Sequence, residues 1–137
     1  MDINIGAVLI ATVVMFAVGG FWYMVPFSKR WGEIHGFDKL SKKEQDAMTA
    51  QMAPLYGTQL VVTLISAFVL AHFIGAQPNV EWYKIATWLW LGFIVPTTVS
   101  AVLFGGTESK YAVQKIAIMI GGSLVCTLAG AWVISLF

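Results

Sequence analysis

Charged residues divide the sequence into four long apolar runs. The runs are 26, 34, 23 and 22 residues long, and they begin after Asp2, Asp46, Lys84 and Lys115. Each run exceeds the roughly 20 residues that an α-helix needs to cross about 30 Å of hydrocarbon. Because a backbone in lipid must satisfy its own hydrogen bonds, each run is expected to be helical. The pattern predicts an all-α integral membrane bundle, a single domain over 1–137, with four transmembrane helices at about 3–25, 54–76, 82–104 and 113–136.

The composition narrows the class of protein further. Hydrophobic residues make up 58% of the chain and charged residues 11%, whereas an average soluble domain carries about 25% charged residues. So few charges cannot cover the surface of a globule in water, and a disordered chain needs high charge and low hydrophobicity. The composition therefore excludes a soluble globular domain and a disordered chain, and the lipid bilayer is the first predicted partner.

The basic residues predict how the chain is oriented, because cytoplasmic loops of membrane proteins are rich in Lys and Arg. Two loops together hold seven of the eight basic residues, which are Lys29, Arg30, Lys39, Lys42, Lys43, Lys110 and Lys115. The opposite side holds only Lys84. Both loops are therefore predicted to be cytoplasmic, with both termini on the outer (periplasmic) side of the cytoplasmic (inner) membrane.

The first of these loops, residues 26–53, carries a helix start of its own. Ser41 and Glu44 have the spacing of a capping box, in which each side chain accepts a hydrogen bond from the other residue's backbone N–H. A short amphipathic helix is predicted from about residue 41 along the membrane interface, and Pro54 is expected to end it or to kink it into the second span. The loop is either a solvated connector or a surface that docks a partner or lipid.

Aromatic and basic side chains at the ends of the spans are typical of membrane-interface anchors. They are Trp22, Tyr23, Lys29, Arg30 and Trp31 on the cytoplasmic side, and Trp82 and Tyr83 on the outer side. We predict that these side chains hold the spans at the two interfaces.

Small residues recur at about four-residue spacing on three of the spans, and such stripes allow helix backbones to approach closely in lipid. The predicted helix-packing residues are Ala67, Ala71 and Gly75 on the second span, Ala101 on the third, and Gly122, Cys126 and Gly130 on the fourth. Because the fourth span carries two adjacent stripes, it lies either at the centre of the bundle or against another subunit.

Two tryptophans lie deeper than the interface belts. Trp88 and Trp90 are a turn or two inside the third span, and His72 is the one titratable candidate near the outer end of the second span. Ionisable residues within a bilayer are costly and usually functional. These three residues are predicted either to pack between helices or to bind a lipid, quinone or pigment.

Uncharged polar groups offer a second candidate site. Pro96 removes a backbone hydrogen bond and frees a carbonyl in mid-membrane, which nearby hydroxyls or waters can satisfy. With Gln59, Thr97 and Ser100, the kinked segment is predicted either to line a pore or cavity or only to shape helix packing.

The chemistry that is absent is equally informative. The spans contain no Asp, Glu, Lys or Arg away from their ends, which weighs against a proton-coupled exporter because such a protein needs a carboxylate in mid-membrane. The sequence carries no dedicated metal-ligand spacing, activated nucleophile, phosphate-binding loop or basic nucleic-acid patch. We therefore predict no enzymatic activity, no catalytic residues, no metal or cofactor, and no nucleic-acid partner.

Two motifs carry a family resemblance. The first comprises Trp22-Tyr23, Pro26 and Phe27-Ser28-Lys29-Arg30-Trp31, and the second runs Trp88-Leu89-Trp90-Leu91-Gly92-Phe93-Ile94-Val95-Pro96-Thr97, followed by Leu103-Phe104. The chain resembles, over nearly its whole length, a small bacterial membrane family catalogued as domain of unknown function 1761. The resemblance implies four helices with an extended first cytoplasmic loop, and it brings no catalytic residues.

Three functions are compatible with these observations. The first is a membrane subunit that self-assembles or is accessory to a larger complex, and it is favoured by the small-residue stripes and charge-free spans. The second is an oligomeric channel or facilitator for small solutes, which needs several copies because one bundle of this size is too thin to enclose a wide path. The third is a binder of a lipid, quinone or pigment.

Overall fold

The computed structural model describes residues 2–137, and these residues form six α-helices and no strand. The helices are α1 (Ile5–Met24), α2 (Ser28–Ile34), α3 (Lys42–Ala76), α4 (Trp82–Leu89), α5 (Val95–Phe104) and α6 (Ser109–Ser135). A 3-10 turn over Phe37–Lys39 follows α2, and a π-helical turn over Trp90–Ile94 joins α4 to α5. The predicted all-α fold class is confirmed.

Four helical segments are long and apolar enough to cross a membrane: α1, α3, α6 and the third span, defined here as the continuous segment Trp82–Phe104. Their most apolar windows have mean hydropathies of 1.6 to 2.2. The chain is therefore a membrane-spanning four-helix protein. The helix α6 begins at Ser109, earlier than the predicted 113, with Lys110 in its first turn.

The predicted amphipathic helix and the second span are one continuous helix. The capping box is present at its start, where the Glu44 amide donates to Ser41 Oγ (3.3 Å) and the Ser41 amide donates to Glu44 Oε2 (2.8 Å). The helix then continues through Pro54 to Ala76 without interruption. Pro54 removes the hydrogen bond to a single carbonyl, that of exposed Ala50, so the cost is local and the helix survives.

The central helix of the bundle is α6. It packs against α1, α3, α4 and α5, and α1 in turn packs against α3. One buried cluster joins α1, α3 and α6 and consists of Val8, Ala11, Met15, Ala67, Ala71 and Val133. A second cluster joins α3, α4 and α6 through Leu70, Ala86 and Ala131. The two small-residue stripes of α6 therefore have neighbours within this chain.

Two glycines of α6 let bulky side chains of α1 approach its backbone. A Cβ at Gly122 would lie 2.8 Å from Trp22 Cδ1, and a Cβ at Gly130 would lie 2.8 Å from Met15 Cγ. Both distances are shorter than the ~3.5–4.0 Å at which carbon atoms pack best. Between these glycines, the half-buried Cys126 thiol makes a weak hydrogen bond to the Met15 carbonyl (3.6 Å).

Two of the predicted packing residues lie outside the helix contacts of the chain. Ala67 and Ala71 are buried, whereas Gly75 and Ala101 are exposed. Gly75 lies beyond Ala71, the last buried residue of α3. Gly75 and Ala101 are therefore not buried between helices of one copy of the chain, because four-residue spacing identifies a helix face without identifying which face meets a neighbour.

Candidate functional site

The Trp22 side chain connects the end of α1 to the middle of α6 through a hydrogen bond and close packing. Its indole N–H donates to the Ile118 carbonyl (2.9 Å), and its ring lies against the α-carbons of Gly121 and Gly122. Phe27 also contacts the ring, with the ring centroids 4.7 Å apart. The interface role predicted for Trp22 stays a prediction. The structure adds a helix-to-helix contact, because the side chain is half-buried and its polar N–H finds a partner inside the bundle.

An aromatic cluster closes the same end of the bundle. Trp31 lies between Tyr23 and His35, with centroid distances of 4.7 and 4.4 Å, and the Lys115 ammonium lies 5.8 Å from the Trp31 ring centroid. His35 Nδ1 lies 2.9 Å from the Trp31 carbonyl, which can only accept, so Nδ1 is the donor. These contacts hold α2 against the start of α6. We call this end, which also carries the turn at 105–108, the basic end.

Lys29 and Arg30 lie on the exposed side of α2 at the basic end. Arg30 makes an ion pair with Glu33 (2.9 Å), and Lys29 is exposed. Such exposed pairs contribute little to stability, so both cations remain compatible with the predicted contact to lipid headgroups.

A cavity of about 320 Å³ opens at the basic end. It lies between the segment that follows α2 and the turn that connects α5 to α6. We call it the basic-end cavity, and its polar lining consists of Glu33, His35, Lys39, Thr107, Glu108, Tyr111 and Lys115. Sequence reasoning did not identify it, because its two walls come from distant parts of the chain.

A tight glycine turn shapes one wall of the basic-end cavity. Gly106 has φ of +79°, in the left-handed region that glycine adopts without steric cost. A Cβ at the preceding Gly105 would collide with the Ala101 carbonyl oxygen. The glycine pair therefore ends α5 and redirects the chain, so that Thr107 lines the cavity.

Trp90 fastens the third span to α6. It lies in the π-helical turn, and its indole N–H donates to the Ile120 carbonyl (3.0 Å) and to Ser123 Oγ (3.1 Å). The prediction left Trp90 open between packing and ligand binding, and the structure favours packing. The π turn matters here because one extra residue in the helical repeat rotates the side chains that follow it.

Trp88 and His72 are not brought together with Trp90. Trp88 is 70% exposed and lines a cavity of about 270 Å³ at the opposite end of the bundle, together with Phe73 and Gln77. His72 is exposed on α3, and its ring meets Phe73 edge-on at 6.3 Å. The predicted three-residue ligand site is therefore corrected, because its members face in different directions.

The predicted pore residues also lie on separate surfaces. Gln59 is exposed on α3 and donates to Thr63 Oγ1 (3.3 Å). Thr97 donates to carbonyls of its own helix at Phe93 (2.6 Å) and Ile94 (3.0 Å). Pro96 and Ser100 are exposed on α5, which packs against α6. Gln59 thus lies on a different helix from the other three residues, and the predicted pore, which needs several copies of the chain, stays a prediction.

At the other end of the bundle, Trp82 packs against the Leu70 cluster and meets Tyr83 edge-on at 5.6 Å. Lys84 donates to Glu81 just before the third span (2.8 Å). This hydrogen bond lowers the pKa of Glu81 below its ordinary value, because it favours the ionised carboxylate.

The comparisons with known proteins identify the family. The chain matches the family described as Protein of unknown function (DUF1761) over residues 6–135. It belongs to this family. The resemblance carried by the two motifs is thereby confirmed, and no curated protein and no solved structure matches the chain. In this DUF1761 protein, Trp22 and Trp90 from the two motifs both donate an indole N–H to backbone carbonyls of α6.

Catalysis or metal binding would require suitable side chains to lie close together in the structure. Within residues 2–137, no group of three or more His, Cys, Asp or Glu side chains lies close enough to hold a metal ion. Most of the titratable side chains that pair with one another lie around the basic-end cavity of the DUF1761 protein. That cavity is therefore the strongest candidate for a binding site.

Proposed function

We propose that this DUF1761 protein is a non-enzymatic membrane subunit that assembles with copies of itself through its third span. It would work in the cytoplasmic (inner) membrane with both termini on the outer side, as the distribution of Lys and Arg favours. One observation carries the proposal. The other three spans bury 22 to 33% of their most apolar window inside the chain, whereas the third span buries 6%.

The uncovered face of the third span suits close helix contact. Gly92, Pro96 and Ser100 follow one another at four-residue spacing, with Thr97 and Ala101 beside them, and all five are exposed. Small side chains let backbones approach, and van der Waals contact at such faces drives helix association in lipid. On α6, Gly122 already packs against Trp22 and Gly130 against Met15. The third span therefore offers the small-residue face that remains for a second copy.

Disulfide cross-linking in native membranes tests this arrangement. The test variant is Ser100→Cys in a Cys126→Ala background, which removes the one native thiol. The matched control is Phe21→Cys in the same background, because Phe21 is 60% exposed on α1 near the same end of the bundle. We expect oxidation to link Ser100→Cys into dimers and to leave Phe21→Cys mostly monomeric.

The mass of the intact particle completes the test. Native mass spectrometry of the unmodified protein should give a multiple of the 15.0 kDa chain. A monomeric mass combined with equal cross-linking at both positions would overturn the proposal. A particle that contains a different protein would instead support the accessory role.

A further inference from the structure

The basic-end cavity holds two cations that have no anionic partner among residues 2–137. Arg30 pairs with Glu33 (2.9 Å) and Lys110 pairs with Glu108 (3.4 Å), so both carboxylates of the lining are already neutralised. Lys39 and Lys115 form no ion pair in this part of the chain, and Lys115 is held 5.8 Å from the Trp31 ring instead. Counted together with Arg30 and Lys110, which pair with the two carboxylates of the lining, this end of the bundle carries two positive charges in excess at the cavity.

Neutral hydrogen-bond donors line the same cavity. Thr107 and Tyr111, whose hydroxyls can donate hydrogen bonds, line it, and Glu108 provides no side-chain cap for α6, whose first N–H groups begin beside it. The first N–H groups of a helix have no intrahelical acceptor and carry a partial positive charge, which agrees with the charge of the two lysines. The wall thus offers donors of hydrogen bonds to an anion, in addition to the positive charge.

The size and place of the cavity define the ligand. Its volume of about 320 Å³ is near the lower limit of small-molecule sites, which span ~300–1,000 Å³. It opens where α5 ends and α6 begins, which is the level at which a bilayer places its headgroups. An anionic headgroup brings a phosphate to this level, and clustered Lys residues at that level attract such lipids.

We propose that the basic-end cavity binds a phosphate group, held by Lys39 and Lys115 and oriented by the donors of the 105–111 segment. The group is carried either by an anionic phospholipid or by a soluble phosphate ester. The site is independent of the proposed self-assembly, because all the residues that line the cavity belong to one copy of the chain.

Native mass spectrometry of delipidated protein tests the site with defined probes. The protein is titrated with phosphatidylglycerol, with phosphatidylcholine and with glycerol 1-phosphate. The test variants are Lys39→Gln and the double variant Lys39→Gln/Lys115→Gln. The matched control is Lys42→Gln/Lys43→Gln, which removes the same charge from exposed positions on α3 at the same end.

We expect one phosphatidylglycerol per chain, bound in preference to phosphatidylcholine. Because a charge-assisted hydrogen bond contributes about 1.5–3 kcal/mol, loss of Lys39 alone should weaken binding roughly tenfold or more. Loss of both lysines should weaken it further, and the Lys42→Gln/Lys43→Gln control should bind like the unmodified protein. Lys39→Gln keeps the test valid if loss of the Lys115–Trp31 contact disturbs folding.

The probes distinguish the two sources of phosphate. Binding of phosphatidylglycerol without glycerol 1-phosphate assigns a lipid ligand, whereas comparable binding of glycerol 1-phosphate that also depends on Lys39 assigns a soluble one. Equal loss in the test and control variants, or no preference over phosphatidylcholine together with no binding of glycerol 1-phosphate, would overturn the proposal.

Discussion

Replacing Gly122 with alanine should loosen the contact between α1 and α6, and the loss should vanish when Trp22 is absent. The added Cβ would lie 2.8 Å from Cδ1 and 2.9 Å from Nε1 of the indole. The ring cannot easily move away, because its N–H is bonded to the Ile118 carbonyl (2.9 Å) and the ring also contacts Phe27. The structure must therefore shift at this contact.

Two opposing terms set the size of this effect. Alanine favours a helix interior over glycine by about 0.8–1.0 kcal/mol, and overpacking a tight contact costs about 1–3 kcal/mol. Because the ring is held by a hydrogen bond and by Phe27, we expect overpacking to prevail, with a net loss of up to about 2 kcal/mol in Gly122→Ala. In a Trp22→Leu background only the helix term remains, so the same substitution should be neutral or stabilising by up to about 1 kcal/mol.

A double-mutant cycle measures this coupling directly. Unfolding in mixed micelles, followed by far-ultraviolet circular dichroism, gives the free energy of unfolding of the two single variants and the double variant. The control is Gly57→Ala on α3, where a Cβ would meet nothing within 4 Å, so no loss is expected there. Additive effects of Gly122→Ala and Trp22→Leu, within about 0.5 kcal/mol, would refute the contact between the indole and Gly122.

Two further predictions concern single hydrogen bonds. Trp90→Phe should lower the free energy of unfolding by about 0.6–1.7 kcal/mol, the usual range for hydrogen bonds between membrane helices. Ser123→Ala should cost less in that background than alone, and equal costs would contradict the indole–hydroxyl bond. Lys84→Met should raise the pKa of Glu81 toward its ordinary value of 4.5, as followed by ¹³C NMR of the Glu81 carboxyl. Since the pKa of Glu81 is lowered in the fold, its contribution to stability is present above pH 4.5 and is lost as the pH falls through the folded pKa, and an unchanged titration in Lys84→Met would rule out this ion pair.

The membrane class and the helical fold could be predicted from the sequence in full. Each of the four charge-free runs is long enough to cross a bilayer as a helix. Few other folds are possible, because only helices and closed barrels satisfy their backbone hydrogen bonds in lipid. Capping was equally readable, since Ser41 and Glu44 act within a single turn and need no tertiary contact. At Pro54 the sequence left two outcomes open, an end or a kink of the helix. The structure has one helix that continues through the proline, because water or neighbouring groups can satisfy the freed carbonyl.

The candidate sites were much less predictable. The sequence around Trp22 and Trp90 does not show whether their side chains face lipid, a ligand or another helix. Only the position of α6 decides that their N–H groups are bonded inside the bundle. The adjacent glycines Gly121 and Gly122 on α6 were the one available indication in the sequence of the Trp22 contact. Nothing in the local sequence relates Lys39 to Lys115.

The sequence by itself determined that this chain crosses a membrane four times, that it belongs with the DUF1761 proteins, and that its charges gather at one end. These properties depend on hydrophobic length and local motifs, which a linear pattern records. Only the tertiary structure decided that α6 is central, that Gly122 and Gly130 pack against side chains of α1, and that the other helices leave the third span mostly exposed. The same is true of the basic-end cavity, whose walls at residues 33–39 and 105–115 meet only in three dimensions. The physical reason is that periodicity defines the faces of a helix, whereas the packing of other helices determines what each face meets.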